Sequence, residues 1–269
     1  MTLGNSKLAL VCCFTSLLCA AGPAFGQAQW PYWGGTHAFN RYSPAGQIDQ
    51  DNVNDLEILW RRPAVDQSIS AAFPQLRVFG NLRGTPIYVN GVLYASNGVG
   101  LAEAFDPASG ASLWVQQLDQ PSLSEAQGQS ARGVEYWSDG QRDQLLVIRK
   151  GWLYALDPAN GEPLAGFGTD GRVNLVPPGA TTFSYNSGGP IVVNDEIVIA
   201  GTVDGAGDSG ATWRDVISED VRGYDVRSGE HLWTFHAVPD AGEFGYDSWG
   251  NDSAAVSGDL GSWCCLSAD

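Results

Sequence analysis

Apolar residues recur along the chain in short runs rich in β-branched and aromatic side chains. Two turn-forming residues interrupt each of three such runs: Asn90-Gly91 within residues 86–94, Lys150-Gly151 within 145–154, and Asn194-Asp195 within 191–199. Asn-Gly between apolar runs favours a two-residue type I′ turn. The pattern therefore predicts three antiparallel hairpins.

A second pattern follows each hairpin: an Asp, three residues, a Gly, two residues, and then Leu-Trp. Its copies are Asp106 to Trp114, Asp157 to Gly161 with Leu164-Ala165 in place of Leu-Trp, and Asp225 to Trp233; Leu59-Trp60 marks an earlier copy without the Asp-Gly turn. An Asp carboxylate can cap such a turn, and Gly tolerates the positive φ that the turn requires.

Each repeat thus contains a hairpin, a strand, an Asp-Gly turn and a last strand that carries the Trp. The Asp residues stand 51 and then 68 residues apart, a spacing typical of β-propeller blades with loop insertions. A two-sheet sandwich also contains hairpins of short strands, but it does not explain the recurring Asp-Gly-Leu-Trp pattern. The sequence predicts an all-β fold of four-stranded antiparallel blades.

The first 26 residues differ from the rest. Lys7 precedes an uncharged stretch, residues 8–21, and Ala24-Phe25-Gly26 offers small residues where a signal peptidase cuts. The apolar run is too short to span a bilayer. We expect a signal peptide at residues 1–26, a mature chain that begins at Gln27 without a transmembrane segment, and a periplasmic location.

Composition narrows the function. The chain has 269 residues, with 14 basic and 30 acidic side chains and a net charge of −16, which argues against nucleic acid as a partner. Removal of the signal would leave two of the five cysteines, Cys264 and Cys265. Because only this one adjacent pair would remain, the protein is not a small scaffold held together by disulfides. Adjacent cysteines can close a strained ring or remain free thiols.

Several motifs in order resemble the quinoprotein dehydrogenases that use pyrroloquinoline quinone (PQQ). They are Trp30-x3-Gly34-Gly35-x6-Tyr42-Ser43, the stretch at residues 130–137, Val221-Arg222-Gly223-Tyr224-Asp225, and the stretches at 233–239 and 242–245. The resemblance runs from about Gln29 to the last residue and implies an eight-bladed propeller in the family. This chain would supply an incomplete ring of about three to four blades, in one domain over residues 27–269.

The resemblance also implies site residues. Arg132 matches an Arg that reaches the quinone, and Trp263 matches the aromatic platform beneath it; Ser187 and Thr202 align with hydroxyls near the carboxylates of this flat tricarboxylate. The family supplies a Ca²⁺ ligand from the loop that contains Thr202, and Asp204 is the nearest carboxylate in that loop, with Asp208 as a substitute. At Arg83, relatives often carry an acid or an amide instead.

Two function classes follow. The first is a periplasmic dehydrogenase that oxidises a sugar or an alcohol with PQQ and Ca²⁺ and passes electrons to a quinone or a cytochrome. We expect this amino-terminal fragment to be inactive alone, because the general base and further metal ligands of the family would lie beyond Asp269. The alternative is a non-catalytic binding scaffold of the outer-membrane assembly type, which shares the repeats but not the cofactor residues.

Overall fold

The computed structural model describes residues 28–78, 82–176, 188–201, 219–256, 260–262 and 265–269. The strands in this part of the chain form three antiparallel sheets of four strands each. The sheets are β1 (Ile87–Val89), β2 (Val92–Ser96), β3 (Ala102–Phe105), β4 (Ser112–Val115); β5 (Glu135–Ser138), β6 (Asp143–Arg149), β7 (Trp152–Leu156), β8 (Arg172–Asn174); and β9 (Ile191–Val193), β10 (Glu196–Ala200), β11 (Val221–Asp225), β12 (His231–Phe235). The expectation of four-stranded antiparallel blades is confirmed.

Helical structure is short among these residues. It comprises the α-helices α1 (Gln67–Ala72) and α2 (Leu123–Ala126) and the 3-10 segments Val53–Asp55, Tyr246–Ser248 and Gly250–Val256. No helix in the described ranges has the length and apolar character needed to cross a membrane.

The three predicted hairpin turns are all present. Each joins two strands that pair directly on either side of a two-residue turn. Both turn residues have positive φ, with 50° and 87° at Asn90-Gly91, 51° and 76° at Lys150-Gly151, and 51° and 64° at Asn194-Asp195. Two consecutive positive φ values define the type I′ turn, which matches the twist of paired strands.

The Asp-Gly turn joins the third and fourth strands of the first and third sheets. In the first sheet, Asp106 Oδ1 accepts the backbone N–H groups of Ala108 (3.0 Å) and Ser109 (2.7 Å), and Gly110 has a φ of 69°. Asp225 and Gly229 repeat this arrangement. The carboxylate therefore caps the turn while the glycine reverses the chain.

Neighbouring sheets dock through the repeat Trp. The Trp114 indole on β4 lies over Gly161 of the next sheet, where a Cβ would overlap the ring, and its Nε1 donates to Pro158 O (2.9 Å). Trp60 makes the same contact with Gly110 and donates to Pro107 O (2.9 Å). The glycine of each turn thus serves two purposes, because it accepts a positive φ and leaves room for the ring.

The second sheet uses a different aromatic residue. Leu164-Ala165 does not form the last strand; β8 begins at Arg172, after an insertion. Phe167, fully buried, packs against Gly229 of the third sheet together with Val173 of β8, and the backbone N–H of Gly168 donates to Ser228 O (2.7 Å). A phenyl ring with a backbone donor therefore replaces the indole and its N–H.

The amino-terminal segment lies along the first strands of two sheets. Trp30 pairs with Tyr88 of β1, and Tyr32 pairs with Glu135 of β5. A buried cluster forms around Tyr32 and Trp33 and includes Ile87, Val134, Leu145 and Ile191 from all three sheets. The first strands therefore gather at one edge of the sheets, which we call the inner edge.

Candidate cofactor site

The residues that lead into the first strands are held against one another. The backbone N–H of Thr85 donates to Arg132 O (2.8 Å), and that of Gly84 donates to Ser130 Oγ (3.0 Å). A Cβ on Gly189 would overlap the Gly133 backbone. Glycines at these positions allow the lead-in segments 83–86, 130–134 and 188–190 to meet at the inner edge.

Arg132 is the predicted site residue that the structure describes. It is half-buried, and its neighbours Ala131 and Gly133 are buried. Its Nε is inaccessible to solvent and has no hydrogen-bond partner among the described residues. A buried donor without an acceptor costs about 1–3 kcal/mol, and a guanidinium stays charged, so this group is suited to an anionic acceptor.

Trp33 packs against Gly133, the residue that follows Arg132. Its indole packs on Gly133, where a Cβ would overlap the ring, and Phe39 meets it edge-on with ring centroids 4.7 Å apart. The Trp33 Nε1 is also buried without a partner in the described part of the chain. The segment of the amino-terminal motif in which Trp33 directly precedes Gly34-Gly35 therefore contacts the same lead-in segment as Arg132.

A buried acid lies three residues after Arg132. Glu135 is 2% exposed, and its Oε1 lies 2.8 Å from Nε2 of His37. Burial raises the pKa of the Glu135 carboxyl to about 7, although the His37 hydrogen bond opposes this shift. The same hydrogen bond raises the pKa of His37, while burial and then the Glu135 charge raise the pKa of Tyr32. The sequence analysis did not identify this pair.

The carboxy-terminal residues join the same cluster. The backbone N–H of Ala268 donates to His37 O (2.9 Å), and Tyr32 Oη lies 3.4 Å from Leu266 O. Cys265 is disulfide-bonded. Residues 265–269 are therefore attached to the amino-terminal segment at the inner edge.

The other predicted site residues lie outside the described residues. They are Ser187, Thr202 and Trp263 for the cofactor and Asp204, with its substitute Asp208, for the metal. The structure thus neither brings them together nor separates them, and their roles stay predictions.

A buried arginine, also missed, fixes the loop that leads to Arg132. Arg149 is 3% exposed; its Nη1 donates to Glu125 Oε1 (2.8 Å), its Nη2 to Glu125 O (2.6 Å) and its Nε to Val99 O (3.3 Å). Glu125 belongs to α2 and stands seven residues before Arg132, in the loop that ends at Ala131. The signal available in the sequence was that a cation, Arg149, directly follows the apolar run 145–148.

Outside this region, His236, Asp240 and Glu243 come together in the loop after β12. The Nδ1 of His236 lies 2.9 Å from Glu243 Oε1 and 3.7 Å from Asp240 Oδ2. Glu243 also accepts the backbone N–H of Asp240 (2.7 Å). These contacts give His236 partners within its own loop.

Comparison with known proteins identifies the family. The family model of the glucose/ethanol/alcohol dehydrogenase β-propeller domain, the PQQ domain, matches residues 30–269. The chain therefore belongs to the PQQ β-propeller family, as the resemblance implied.

Curated relatives are named as quinoprotein glucose dehydrogenases and quinone-dependent alcohol dehydrogenases. The chain is 28% identical over 237 residues to quinoprotein glucose dehydrogenase A of Acinetobacter calcoaceticus, covering 80% of this chain and 28% of the relative. It is 28% identical over 217 residues to the dehydrogenase subunit of the alcohol dehydrogenase (quinone) of Gluconacetobacter polyoxogenes, covering 78% and 25%. The chain spans about a quarter to a third of the length of such relatives.

Solved structures support the fold. The quinohemoprotein alcohol dehydrogenase ADHIIG of Pseudomonas putida HK5 matches with a TM-score of 0.64 at 22% identity, covering 90% of this chain and 33% of that one. A europium-containing methanol dehydrogenase matches with a TM-score of 0.51 at 20% identity, covering 78% and 32%. The three sheets thus have the arrangement of propeller blades.

Proposed function

We propose that the chain is part of the propeller of a quinoprotein dehydrogenase that oxidises a sugar or an alcohol with PQQ. Family membership over residues 30–269 supports the cofactor class. The observation that carries the proposal is the buried Nε of Arg132 at the inner edge, which has no hydrogen-bond partner among the described residues. A charged donor held there fits the anionic quinone, because charge-assisted hydrogen bonds are stronger than neutral ones.

Several residues of this chain would each contact a different part of the cofactor. Arg132 would donate to the quinone, Trp263 would stack on its face, and Ser187 and Thr202 would donate to its carboxylates. Asp204 would contribute an oxygen ligand to Ca²⁺. When bound, PQQ supplies the electron acceptor of the oxidation. The Thr85 N–H that binds the Arg132 carbonyl and the Trp33 ring on Gly133 keep the arginine backbone in one position.

The general base and the remaining metal ligands would come from parts of the relatives that this chain does not span. We therefore expect the chain alone to show no dehydrogenase turnover, even with PQQ and Ca²⁺. Co-expression with the carboxy-terminal blades of the Acinetobacter relative should give PQQ- and Ca²⁺-dependent dye reduction with glucose or ethanol.

The matched variants are Arg132→Ala and Arg61→Ala. Loss of the Arg132 contact should lower the dye reduction of the complemented protein about a hundredfold, because a charged hydrogen bond to the reacting group is worth about 2–3 kcal/mol. The exposed Arg61 should have little effect. Robust oxidation by the chain alone would contradict the proposed division of ligands, and a complemented protein without PQQ dependence would favour the binding-scaffold alternative.

The proposed setting is the periplasm, reached through a signal peptide at residues 1–26, with electrons passed to a membrane quinone or a cytochrome. This proposal is supported by the first 26 residues, in which Lys7 precedes an uncharged run and small residues stand at the expected cleavage site. Amino-terminal sequencing of the protein from its native cell should find Gln27 first. Retention of Met1 in the mature protein would exclude this processing.

A further inference from the structure

One histidine and two carboxylates converge in the loop after β12. The His236 Nδ1 lies 2.9 Å from Glu243 Oε1 and 3.7 Å from Asp240 Oδ2. One ligand atom from each of the three side chains lies within 4.8 Å of the others. Donor atoms that share one ion at about 2.1 Å, spread by about 90–120° around it, lie about 3.0–3.6 Å apart. The two distances from the imidazole nitrogen are therefore close to those expected around a shared metal ion.

Backbone hydrogen bonds orient these three side chains. The N–H of Glu243 donates to Asp240 O (2.9 Å), and the N–H of Asp240 donates back to Glu243 Oε2 (2.7 Å). Beside His236, the N–H of Ala237 donates to Oδ1 of Asp220 (3.1 Å), a residue that is 8% exposed. Because the turn and the buried acid already fix the loop, binding of an ion would cost little ordering of its ligands.

The part of the sequence that contains this loop is strongly acidic. Residues 228–269 include no Lys or Arg and seven acids: Glu230, Asp240, Glu243, Asp247, Asp252, Asp259 and Asp269. The hydrogen bond to Glu243 and then the charge of Asp220 raise the pKa of the His236 imidazole, although burial opposes them. One proton on His236 balances only part of the negative charge around it, and a divalent cation would balance more.

A cavity adjoins two of the three side chains. It has a volume of about 510 Å³ and is lined by His236 and Glu243 together with the aromatic rings of Phe235, Phe244 and Trp249. A zinc ion with three protein ligands keeps its fourth position for water. The cavity would give that water access to an ion held by the loop.

We propose that His236, Asp240 and Glu243 bind a divalent transition-metal ion, and that Zn²⁺ is the ion this ligand set fits best. Zn²⁺ accepts mixed nitrogen and oxygen ligands, whereas Ca²⁺ takes about six to eight oxygen ligands. The ion ties the end of β12 to the turn at residues 240–243. This site goes beyond the proposed oxidation and does not depend on PQQ.

Metal binding at this site depends on pH because the ion competes with a proton for His236. The carboxylates that face the imidazole are those of Glu243 and Asp240 in its own loop and that of Asp220 before β11. They hold the proton more firmly, so the proton must be displaced before Nδ1 can bind the metal. Zn²⁺ affinity should therefore rise between pH 5 and pH 8.

The test uses the small number of histidines in the chain, which are His37, His231 and His236. The full chain is labelled with ¹⁵N, and its imidazole nitrogens are observed by long-range NMR at pH 7 while ZnCl₂ is added. The signals are assigned by their loss in His236→Gln and His231→Gln. Zn²⁺ should shift Nδ1 of His236 and leave the His231 signals in place. A His236 signal that stays unshifted at millimolar Zn²⁺ would overturn the site.

Two variants keep His236 as the reporter and remove one carboxylate each. Glu243→Gln and Asp240→Asn should each weaken the Zn²⁺-induced shift of His236 by about a hundredfold in concentration, the upper end of the loss when an outer-shell partner of a metal is removed. Glu230→Gln is the matched control, because it removes an exposed acid from the same acidic part of the chain and should leave the affinity unchanged. Near-ultraviolet circular dichroism confirms that each variant keeps its aromatic packing.

The control variants and a second ion separate a metal site from general attraction to negative charge. CaCl₂ at millimolar concentration should not displace Zn²⁺ from His236, since Ca²⁺ prefers oxygen ligands. Equal losses of affinity in Glu230→Gln and Glu243→Gln would refute coordination by the loop and leave a diffuse acidic surface. Displacement of Zn²⁺ by equimolar Ca²⁺ would refute it as well.

Discussion

The buried Glu135–His37 pair should make the stability of the protein fall as the pH rises. The Glu135 carboxyl has a pKa of about 7 in the folded chain against an ordinary value of 4.5, because burial disfavours its charged form. The pKa of His37 is also raised, mainly by its hydrogen bond to Glu135. Both folded-state pKa values thus lie above their unfolded values.

The sign follows from proton binding. Between the unfolded and folded pKa of each group, the folded state holds more protons than the unfolded state, so unfolding is favoured as the pH rises. For Glu135 this interval runs from 4.5 to about 7. At 1.36 kcal/mol for each pKa unit, Glu135 contributes about 3 kcal/mol of stability at pH 4 that is lost by pH 8. The contribution of His37 is lost from pH 6.5 upward.

Glu135→Gln tests this calculation by urea unfolding at pH 4, 5, 6, 7 and 8. The amide keeps the size of the side chain but cannot ionise. Relative to wild type, the variant should therefore gain about 3 kcal/mol between pH 4 and pH 8. Glu57→Gln, at an exposed position, is the matched control and should follow wild type across this range. A wild-type-to-variant difference that stays constant with pH would refute the reasoning.

Three further changes probe the supports of the inner edge and the docking contacts. Arg149→Ala should lower the unfolding free energy by about 1.5–3 kcal/mol, since it removes the buried guanidinium that donates to the Glu125 carboxylate and to the Val99 carbonyl. Hydrogen exchange over residues 123–132 should accelerate, and unchanged exchange there would show that Arg149 does not fix the loop. In urea unfolding, Trp114→Phe should lower the unfolding free energy by about 1 kcal/mol because it loses the hydrogen bond to Pro158 O. Trp114→Ala should lower it by about 3–5 kcal/mol, and equal losses in the two variants would mean that the ring packing contributes little. Phe167→Trp should destabilise by about 1–3 kcal/mol because this buried position has no room for an indole, and a stabilised variant would contradict that account.

The parts of the fold that sequence reasoning found are those with a local cause. Asn90-Gly91 forms its hairpin because these two residues tolerate the positive φ values that the turn needs, and no distant contact is required. Trp114 was recognisable because its distance from Asp106 matches that of Trp233 from Asp225. Phe167 was not predicted because an insertion moves the docking residue away from its position in the repeat and replaces the Trp by a Phe.

The site divides along the same line. Arg132 was found through a contiguous motif, and the structure adds the buried Nε. The Glu135–His37 contact joins residues 98 positions apart, so no periodicity or spacing indicates it. Arg149 likewise acts on a loop that precedes it by about 24 residues. Non-local pairs of this kind depend on the docking of whole strands, which the composition of either segment does not encode.

The docking contact between sheets has a direction. In three successive contacts an aromatic ring lies on the bare glycine turn of the sheet that follows it in the chain: Trp60 on Gly110, Trp114 on Gly161 and Phe167 on Gly229. Such head-to-tail contacts are not self-complementary, so two blades cannot pair through identical faces. Duplication of a blade during evolution would bring its own ring and its own turn and leave the neighbouring contacts intact. The number of blades in a ring is then governed by the angle between successive sheets, while the docking contact itself sets only their order and polarity.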